Sequence, residues 1–173
     1  MQSEIYEQPQ AIQRLLDGEQ TTITAVAAAL RKKRPDVILI VARGTSDHAA
    51  TYAKYLFGLV NGTIVALAAA SLTTLYGARL NLTRAAVIGI SQSGKSTDVV
   101  EVMQQARAAG ALTIGITNDP ASPLAAAAQY PISLHAGEER ALPATKTYTT
   151  SLTALALLSA HLAGDKELLT AVS

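Results

Sequence analysis

Two short stretches of this 173-residue chain combine hydroxyl side chains with a glycine just ahead of a helical pattern. They are SQSGKST at 91–97 and ARGTSDH at 42–48. The first turn of a helix presents unpaired N–H groups and a partial positive charge, so it stabilises an anion. Glycine lets the backbone approach that anion closely, and hydroxyl groups add hydrogen bonds to it. The spacing therefore predicts an anion site, and a phosphate group is the anion expected there.

The same residue types have a simpler interpretation as helix caps. Serine and threonine directly before a helix commonly accept a hydrogen bond from its first turn. Each stretch alone fits capping about as well as binding, but two of them at strand ends of one sheet favour a ligand. Neither contains the GxxxxGK[ST] or GxGxxG pattern, so nucleotide binding is not favoured. The candidate anion ligands in 91–97 are Ser91, Ser93, Gly94, Ser96 and Thr97, with Lys95 as an added charge.

A third stretch, HAGEERALPATKTYTTS at 135–151, carries charged residues between the last predicted strand and the last predicted helix. Glu139 is a candidate general base, because a carboxylate can accept a proton in general acid–base catalysis. The alternative is a solvated charged loop in which Thr145 caps the helix. The histidines lack the spacing of metal ligands and no GxSxG sequence is present, so neither a metal site nor a nucleophile elbow is predicted.

The elements that must position these stretches alternate between strands and helices. Apolar runs without polar alternation predict strands that are buried on both faces. The strands are predicted at 36–44, 63–70, 85–93, 111–119 and, more weakly, 130–136. The helices are predicted at about 47–60, 71–79, 96–109, 122–129 and 145–163, with one or two more before the first strand, at roughly 4–16 and 21–33. This order predicts a three-layer α/β sandwich with a five-stranded parallel sheet, and a ligand site beyond the carboxyl ends of its strands.

The composition excludes several classes of protein. The formal net charge is +1, without the basic stripe of a nucleic-acid-binding protein. The chain contains no cysteine, which removes disulfides, thiolate metal sites and cysteine nucleophiles. The first residues, MQSEIYEQPQ, lack the layout of a secretion signal, and no apolar stretch approaches the ~18 residues of a membrane span. These features fit a cytoplasmic protein folded as one domain.

Four segments together resemble the sugar isomerase (SIS) family. They are EIYEQP at 4–9, GTS at 44–46, SQSG at 91–94 and TKTYTTS at 145–151, and they stand in the order found in the family. The resemblance runs along nearly the whole chain and is closest to the first half of the isomerase domain of glucosamine-6-phosphate synthases. It implies a flavodoxin-like SIS fold, with one domain over 1–173 that includes a helical lead-in at 1–35. It also implies that the chain is the N-terminal half of a protein with two SIS domains.

The resemblance further implies a phosphosugar ligand and no cofactor. The phosphate would lie on the SQSG loop, and the GTS and ALPATK segments would contact phosphate or sugar. The residues implied are Gly44, Thr45, Ser46, Ser91, Gln92, Ser93, Gly94, Ser96, Leu142 and Ala144. Three positions depart from the synthase pattern: Lys95 stands in place of a glutamate, Ala144 in place of a serine that bonds the sugar, and Arg43 in place of a cysteine.

By this resemblance the parent protein would act on aminosugar or ketose phosphates, by ring opening and proton transfer between C1 and C2. The glutaminase domain of the synthases uses a cysteine that this chain lacks, and the main catalytic groups of the family come from the second half. The chain alone is therefore expected to bind the sugar phosphate without the full catalytic set. Fructose-6-phosphate and glucosamine-6-phosphate both fit the prediction as ligands.

Two other functions stay open. One is a non-catalytic module that senses sugar phosphates, although no helix-turn-helix segment or basic patch accompanies it in this sequence. The other is a self-sufficient isomerase with a single SIS domain, working as an oligomer, for which only Glu138 or Glu139 offers a base. In every case pairing with a second SIS domain or another copy is expected, through the apolar last helix. Neither nucleic acid nor a membrane is an expected partner.

Overall fold

The fold is that of a computed structural model, which describes residues 1–141 and 144–172. Its strands are β1 (Val37–Ala42), β2 (Val65–Leu67), β3 (Ala85–Ile90), β4 (Leu112–Thr117) and β5 (Tyr130–Ser133). Its helices are α1 (Gln2–Tyr6), α2 (Gln8–Lys33), α3 (Thr45–Asn61), α4 (Ala70–Thr74), α5 (Thr97–Ala108), α6 (Pro123–Ala127), α7 (Lys146–Ala163) and α8 (Lys166–Val172).

The five strands form one parallel sheet in the order β2-β1-β3-β4-β5. The prediction of a five-stranded parallel sheet between helices is confirmed. Chain order reverses between β1 and β3, which are neighbours with Ala42 paired to Ile90. The loops that follow these two strands therefore start side by side, at the place where an open parallel sheet offers a crevice for a ligand.

The sheet is covered on both faces, which explains why its central strands lack polar alternation. Every residue of β3 and β4 is buried. On one face, isoleucines such as Ile38, Ile88 and Ile114 pack into a core with α2, α3 and α7. On the other face, Val41 and Val87 pack with residues of α5 and α6. A strand that faces helices on both sides buries every side chain, so its sequence reads as a continuous apolar run.

The N-terminal helices differ in their bounds from the predicted one or two helices at 4–16 and 21–33. Helix α2 runs unbroken from Gln8 to Lys33 and passes through Gly18, which lies in the gap between the two predicted ranges. A Cβ atom at Gly18 would lie 2.9 Å from Nε2 of His135, so the glycine makes room for that imidazole ring. Tertiary packing therefore explains a glycine in the interior of this helix.

Several other boundaries also differ from their predictions. Strand β2 (Val65–Leu67) is shorter than the predicted strand at 63–70. Helix α4 (Ala70–Thr74) begins one residue earlier and ends five residues earlier than the helix predicted at 71–79. Helix α8 was not predicted and follows Gly164, which ends α7 in the left-handed conformation. No helix of the described residues has both the length and the apolar character to cross a lipid bilayer.

The last long helix lies inside its own chain rather than on a free surface. Helix α7 packs against α2 and α3, and the apolar side chains of Ala154, Leu155, Leu157 and Leu158 are buried there. These contacts account for the apolar residues of α7, and the pairing of α7 with a second domain stays a prediction. The large apolar side chains that stay exposed lie mainly on α3 and on the segment that follows it.

Candidate functional site

The loop after β3 begins with a serine that is fixed inside the protein. Ser91 is buried, and its backbone N–H donates to the carbonyl oxygen of Ile116, 3.0 Å away. Its Oγ atom lies 3.2 Å from Oγ of Ser96, so the first and last hydroxyls of the loop are joined. Ser93 lies exposed between them, and its Oγ accepts from the N–H of Lys95 at 3.3 Å. The loop thus holds one buried and one open hydroxyl group.

The middle of this loop is pinned by the end of β4. The carbonyl oxygen of Gln92 accepts from the N–H of Asn118 at 3.0 Å and from Oγ1 of Thr117 at 3.2 Å. The carbonyl oxygen of Gly94 accepts from the N–H of Leu124, also at 3.0 Å. Sequence reasoning assigned these partners only to a strand end and a turn. The loop keeps its shape because neighbouring elements bond its backbone.

Gly94 is required by both conformation and space. Its φ is +63°, in the left-handed region where glycine carries no penalty. A Cβ atom there would lie 2.1 Å from Oγ of Ser122 and 2.8 Å from Oγ1 of Thr117. Any side chain at this position would therefore displace the loop from the start of α6.

The loop after β1 faces this one and is more open. Gly44 precedes α3 with φ +58°, and a Cβ atom there would meet nothing within 4 Å. Thr45 and Ser46 are half-buried in the first turn of α3. Their hydroxyl groups form no hydrogen bonds within the described part of the chain, and the same holds for the side chains of Gln92 and Thr97. Four polar side chains at the crevice are thus available to a ligand.

An ion pair joins the two loops. Nη1 of Arg43 donates to Oδ2 of Asp98 at 2.6 Å, and Asp98 lies in the first turn of α5. Oδ1 of Asp98 accepts from the N–H of Val99 at 3.0 Å. The sequence analysis placed Arg43 in the ARGTSDH stretch but did not identify Asp98 as its partner, because the two residues are 55 positions apart.

The helices that start at this edge of the sheet differ in how their first turns are capped. Within the described residues, no side chain caps α3 at Gly44 or α5 at Ser96. The hydroxyl of Ser122 caps α6 by accepting from the N–H of Ala125 at 3.3 Å. Helix α7 is capped by the carboxylate of Glu139. The serines before α5 therefore do not act as its side-chain caps, which was the simpler interpretation of SQSGKST.

Glu139 is fully engaged by the first turn of α7. Its Oε1 accepts from the N–H and Oγ1 of Thr145 and from the N–H of Lys146, each at 2.7 Å. Its Oε2 accepts from the N–H of Thr147 at 3.2 Å and from the Thr147 hydroxyl. Burial tends to raise the pKa of Glu139, but these hydrogen bonds outweigh burial and lower it below the ordinary value. This geometry favours a capping role over that of a proton-accepting base, and Thr145 donates to the cap rather than providing it.

The EIYEQP segment folds over the same helix start. Nζ of Lys146 is almost fully buried and lies 2.6 Å from Oε2 of Glu7 and 2.8 Å from the carbonyl oxygen of Glu138. Oε1 of Glu4 accepts from the N–H of Arg140 at 2.6 Å, which lowers the pKa of Glu4. The segment thus fixes the loop before α7, a role that sequence reasoning did not assign.

The two remaining predicted contacts precede α7 in the sequence. Ala144 is half-buried, next to the N-cap residue Thr145. The predicted contact of Leu142 lies outside the described residues. The crevice between the β1 and β3 loops therefore brings together the predicted residues Gly44, Thr45, Ser46, Ser91, Gln92, Ser93, Gly94 and Ser96.

Comparison with known proteins agrees with this architecture. The chain is 37% identical over 167 residues to the glutamine–fructose-6-phosphate aminotransferase [isomerizing] of Aquifex aeolicus, covering 96% of the chain and 28% of that protein. It is 39% identical over 165 residues to the protein of the same name from Pyrococcus horikoshii, covering 94% of the chain and 27% of that protein. The chain therefore spans little more than a quarter of these curated relatives.

Solved structures match over almost the whole chain. A crystal structure named "putative phosphosugar isomerase" from Silicibacter pomeroyi DSS-3 is 45% identical with a TM-score of 0.95, covering 98% of this chain and 52% of that one. The C-terminal domain of glucosamine-fructose-6-phosphate aminotransferase from Francisella tularensis is 26% identical with a TM-score of 0.79, covering 98% and 50%. Residues 29–160 match the SIS domain family. With its parallel sheet and its polar loops at the reversal of strand order, the chain belongs to the SIS domain family.

Proposed function

We propose that this chain binds the phosphate group of a phosphosugar at the start of α5, with the sugar extending toward the start of α3. The observation that supports the proposal is a difference in hydrogen bonding at one edge of the sheet. Side chains accept from the first N–H groups of α6 and α7, whereas no side chain of the described residues accepts from the N–H groups of Thr45, Ser46, Ser96 or Thr97 at the starts of α3 and α5. A phosphate oxygen is a strong acceptor for the N–H groups of such a helix start.

Each residue of the β3 loop has a distinct role in this proposal. Ser93 offers its exposed hydroxyl to the phosphate, and the uncapped N–H groups of Ser96 and Thr97 donate to it. Ser91 holds Ser96 in place through the contact between their hydroxyls. The side chain of Gln92 has no partner among the described residues and adds a further donor. Such a fixed set of donors loses little entropy when the anion binds.

The β1 loop serves the other end of the ligand. Thr45 and Ser46 present free hydroxyls at the start of α3, opposite the SQSG loop. Hydroxyl groups donate and accept, so they suit both phosphate oxygens and sugar hydroxyls. Fructose-6-phosphate and glucosamine-6-phosphate are the proposed ligands, in keeping with the names of the relatives.

The chain is proposed as the phosphosugar-binding part of an isomerase, aminotransferase or deaminase that interconverts ketose and aldose or aminosugar phosphates. Glu139, the candidate base within this chain, already accepts from five donors. A carboxylate held in this way is a poor proton acceptor. The proposal therefore assigns binding to this chain and proton transfer to groups beyond it.

Thermal unfolding with four ligands tests the binding proposal. The ligands are glucosamine-6-phosphate, fructose-6-phosphate, free glucosamine and inorganic phosphate. A ligand at a hundred times its Kd adds about 2.7 kcal/mol, or a Tm rise of roughly 5–10 °C for a chain of this size. The phosphosugars are expected to raise the Tm more than either control. Ser93→Ala is expected to remove the rise, and Ser3→Ala, at an exposed serine of α1, is expected to keep it. Absence of a rise with both phosphosugars would contradict the proposal.

Self-association forms part of the proposal, through α3 rather than α7. Tyr52, Tyr55 and Leu59 recur at intervals of three and four residues, so they share one outer face of α3, with Leu59 83% exposed. Ile64 extends the apolar surface at the β2 edge of the sheet. An exposed apolar patch of this kind is typical of an interface. A second copy of the chain is the proposed occupant.

Sedimentation at several concentrations tests this pairing. The chain is expected to form a dimer that Leu59→Lys disrupts. Ile5→Lys, which places the same charge on an exposed apolar position of α1, is the matched control and is expected to leave the dimer intact. A monomeric mass at high concentration would contradict the pairing and leave the binding proposal unaffected.

A further inference from the structure

The ion pair between Arg43 and Asp98 joins the loop after β1 to the first turn of α5, where the phosphate is proposed to bind. Arg43 follows β1 directly, and Asp98 lies in the first turn of α5, beside the N–H groups that would meet the phosphate. Their atoms Nη1 and Oδ2 are 2.6 Å apart. The guanidinium group is therefore held within a few ångströms of the uncapped helix start.

The carboxylate of Asp98 would repel a phosphate bound at the start of α5, and the guanidinium of Arg43 neutralises that carboxylate. A carboxylate in the first turn of a helix uses the same partial positive charge that attracts a phosphate, and two anions so close repel each other. A guanidinium paired with the carboxylate neutralises it. Arginine carries five N–H donors, and the structure shows one of them in use. Because the side chain is 68% exposed, its other donors face open solvent and are free for a ligand.

We propose that Arg43 binds the phosphate of the ligand directly, and that Asp98 is a positioning residue that holds the guanidinium toward the start of α5. The inference rests on the proposed function and deepens it by naming the ligand class. Because a phosphate dianion accepts hydrogen bonds from the guanidinium more strongly than a sulfate monoanion does, the site selects dianionic phosphate monoesters over monoanionic sulfate esters of the same sugar. Paired N–H donors of a guanidinium match the geometry of phosphate oxygens.

Calorimetric titration of Arg43→Ala with glucosamine-6-phosphate and glucosamine-6-sulfate at pH 7.5 tests the direct contact. Phosphate carries nearly two negative charges at this pH, whereas the sulfate ester carries one. The phosphate ester is expected to lose about tenfold to a hundredfold in affinity, the effect of removing a hydrogen bond to a charged group. The sulfate ester is expected to lose less, so the preference for phosphate falls.

Arg84→Ala is the matched control. Arg84 also forms a 2.6 Å ion pair with an aspartate, Asp36, and both groups are exposed. This pair lies before β3, at the opposite edge of the sheet. Its loss is expected to leave both affinities within about twofold, because exposed ion pairs contribute little. The Tm of both variants is expected to stay close to that of the wild type.

Asp98→Asn tests the positioning role through a change of sign. In the wild type it is expected to weaken glucosamine-6-phosphate binding, because the guanidinium is held less firmly. In the Arg43→Ala background it is expected to strengthen binding, because without Arg43 the carboxylate of Asp98 only repels the phosphate and Asp98→Asn removes that repulsion. A residue with a merely structural role would shift both backgrounds in the same direction.

The outcomes separate this inference from the proposed function. If the wild type binds glucosamine-6-phosphate and Ser93→Ala abolishes binding while Arg43→Ala retains wild-type affinity, the role of Arg43 is overturned and the proposed function stands. An equal loss for the phosphate and sulfate esters would overturn the selection for dianions. If the wild type binds neither ester, the proposed function and this inference fall together.

Discussion

Helices α5 and α7 begin at the same edge of the sheet, but the N–H groups of their first turns differ in their hydrogen-bond partners. At α7, the carboxylate of Glu139 accepts from the first backbone N–H groups and from two threonine hydroxyls. At α5, the neighbouring loop contains hydroxyl and amide groups, but the N-cap residue Ser96 does not cap the helix with its side chain. Among the described residues, only Asp98 accepts from a first-turn N–H group with its side chain, and that group is the N–H of Val99. At α7 a carboxylate of the chain itself accepts from the first N–H groups of the helix, whereas at α5 the N–H groups of Ser96 and Thr97 have no side-chain acceptor among the described residues.

This difference teaches how to tell a binding site from a capping motif. Both helix starts have the partial positive charge that stabilises an anion. A helix start with no ligand-binding role has its first N–H groups bonded by a side chain of the same chain, as Glu139 bonds those of α7. A helix start that is surrounded by fixed polar groups and still lacks a cap has the form expected for ligand binding. Substitutions at the two helix starts test this difference between α5 and α7, and the largest effect is expected at Gly94.

Gly94→Ala is expected to have the largest effect, because it disturbs the open helix start. The new Cβ atom would overlap Ser122 and would need a left-handed backbone. Strain and overpacking together predict a loss of about 3–5 kcal/mol in the free energy of unfolding, with loss of the ligand-induced rise in Tm. Denaturant unfolding measures the first effect and a thermal shift assay the second.

Two further variants separate conformation from space at Gly94. At Gly44 the backbone φ is positive, but an added Cβ atom would contact nothing within 4 Å. Backbone strain alone therefore predicts that Gly44→Ala lowers the free energy of unfolding by about 1–3 kcal/mol. Ser122→Gly, added to Gly94→Ala, removes the two nearest atoms that the new Cβ would meet and leaves Oγ1 of Thr117 at 2.8 Å, so it is expected to recover part of the stability. Equal losses for Gly94→Ala and Gly44→Ala would show that close packing at the SQSG loop has no effect.

Glu139→Ala is expected to have the next largest effect, on stability alone. It leaves the first turn of α7 without its acceptor, which predicts a loss of about 2 kcal/mol in the free energy of unfolding. The affinity for glucosamine-6-phosphate is expected to stay within about twofold, because α5 is unchanged. Glu138→Ala, at the exposed neighbouring carboxylate, is the control and is expected to change the Tm little. A large loss of affinity in Glu139→Ala would place Glu139 in the ligand site.

The same cap predicts how stability depends on pH. The pKa of Glu139 is lower in the folded chain than its ordinary value of 4.5, so folding favours the ionised form. The contribution is complete above about pH 4.5 and is lost as the pH falls through the lowered pKa. Urea unfolding between pH 3 and pH 7 is expected to show a smaller acid loss in Glu139→Gln than in the wild type. Identical pH profiles would contradict the capping role.

Ser91→Ala and Ser93→Ala are expected to separate structure from binding within one loop. Ser91 is buried and its hydroxyl contacts that of Ser96, so its loss predicts about 1 kcal/mol of destabilisation together with weaker binding. Ser93 is exposed, so its loss is expected to leave stability unchanged and to remove the ligand-induced rise in Tm. If Ser93→Ala destabilised the chain as much as Ser91→Ala, its hydroxyl would have a structural role.

Ser122→Ala is expected to have the smallest effect. It removes the side-chain cap of the short helix α6, which predicts a loss of about 1 kcal/mol. The rise in Tm with glucosamine-6-phosphate is expected to remain, because the backbone bonds that hold the loop do not use this hydroxyl. Loss of that rise would place Ser122 among the groups that bind the ligand.

Much of the fold could be predicted from the sequence, because buried parallel strands leave a direct signal. Apolar runs such as AAVIGI and LTIGIT lie on the two fully buried strands β3 and β4. The loops after β1 and β3 were identified as candidate sites because their residue types suit an anion. Their adjacency in the sheet is what the sequence rules predict at a reversal of strand order.

The features that were missed depend on contacts distant in sequence. Helix α2 passes unbroken through Gly18, beside the ring of His135, where the predicted ranges left a gap at 17–20. The Arg43–Asp98 pair joins residues 55 positions apart, and no local pattern reveals it. The apolar character of α7 was read as a partner surface, but burial against α2 and α3 produces the same pattern. Periodicity shows that a helix face is covered without showing what covers it.

The most direct test of the central claim is to follow backbone amide signals by NMR during titration with glucosamine-6-phosphate. The predicted result is a large shift for Ser93, Ser96 and Thr97 at the start of α5. The amides of Lys146 and Thr147, which Glu139 already engages, are expected to stay in place. Equal shifts at both helix starts, or shifts confined to α7, would contradict the claim that the phosphate binds at α5.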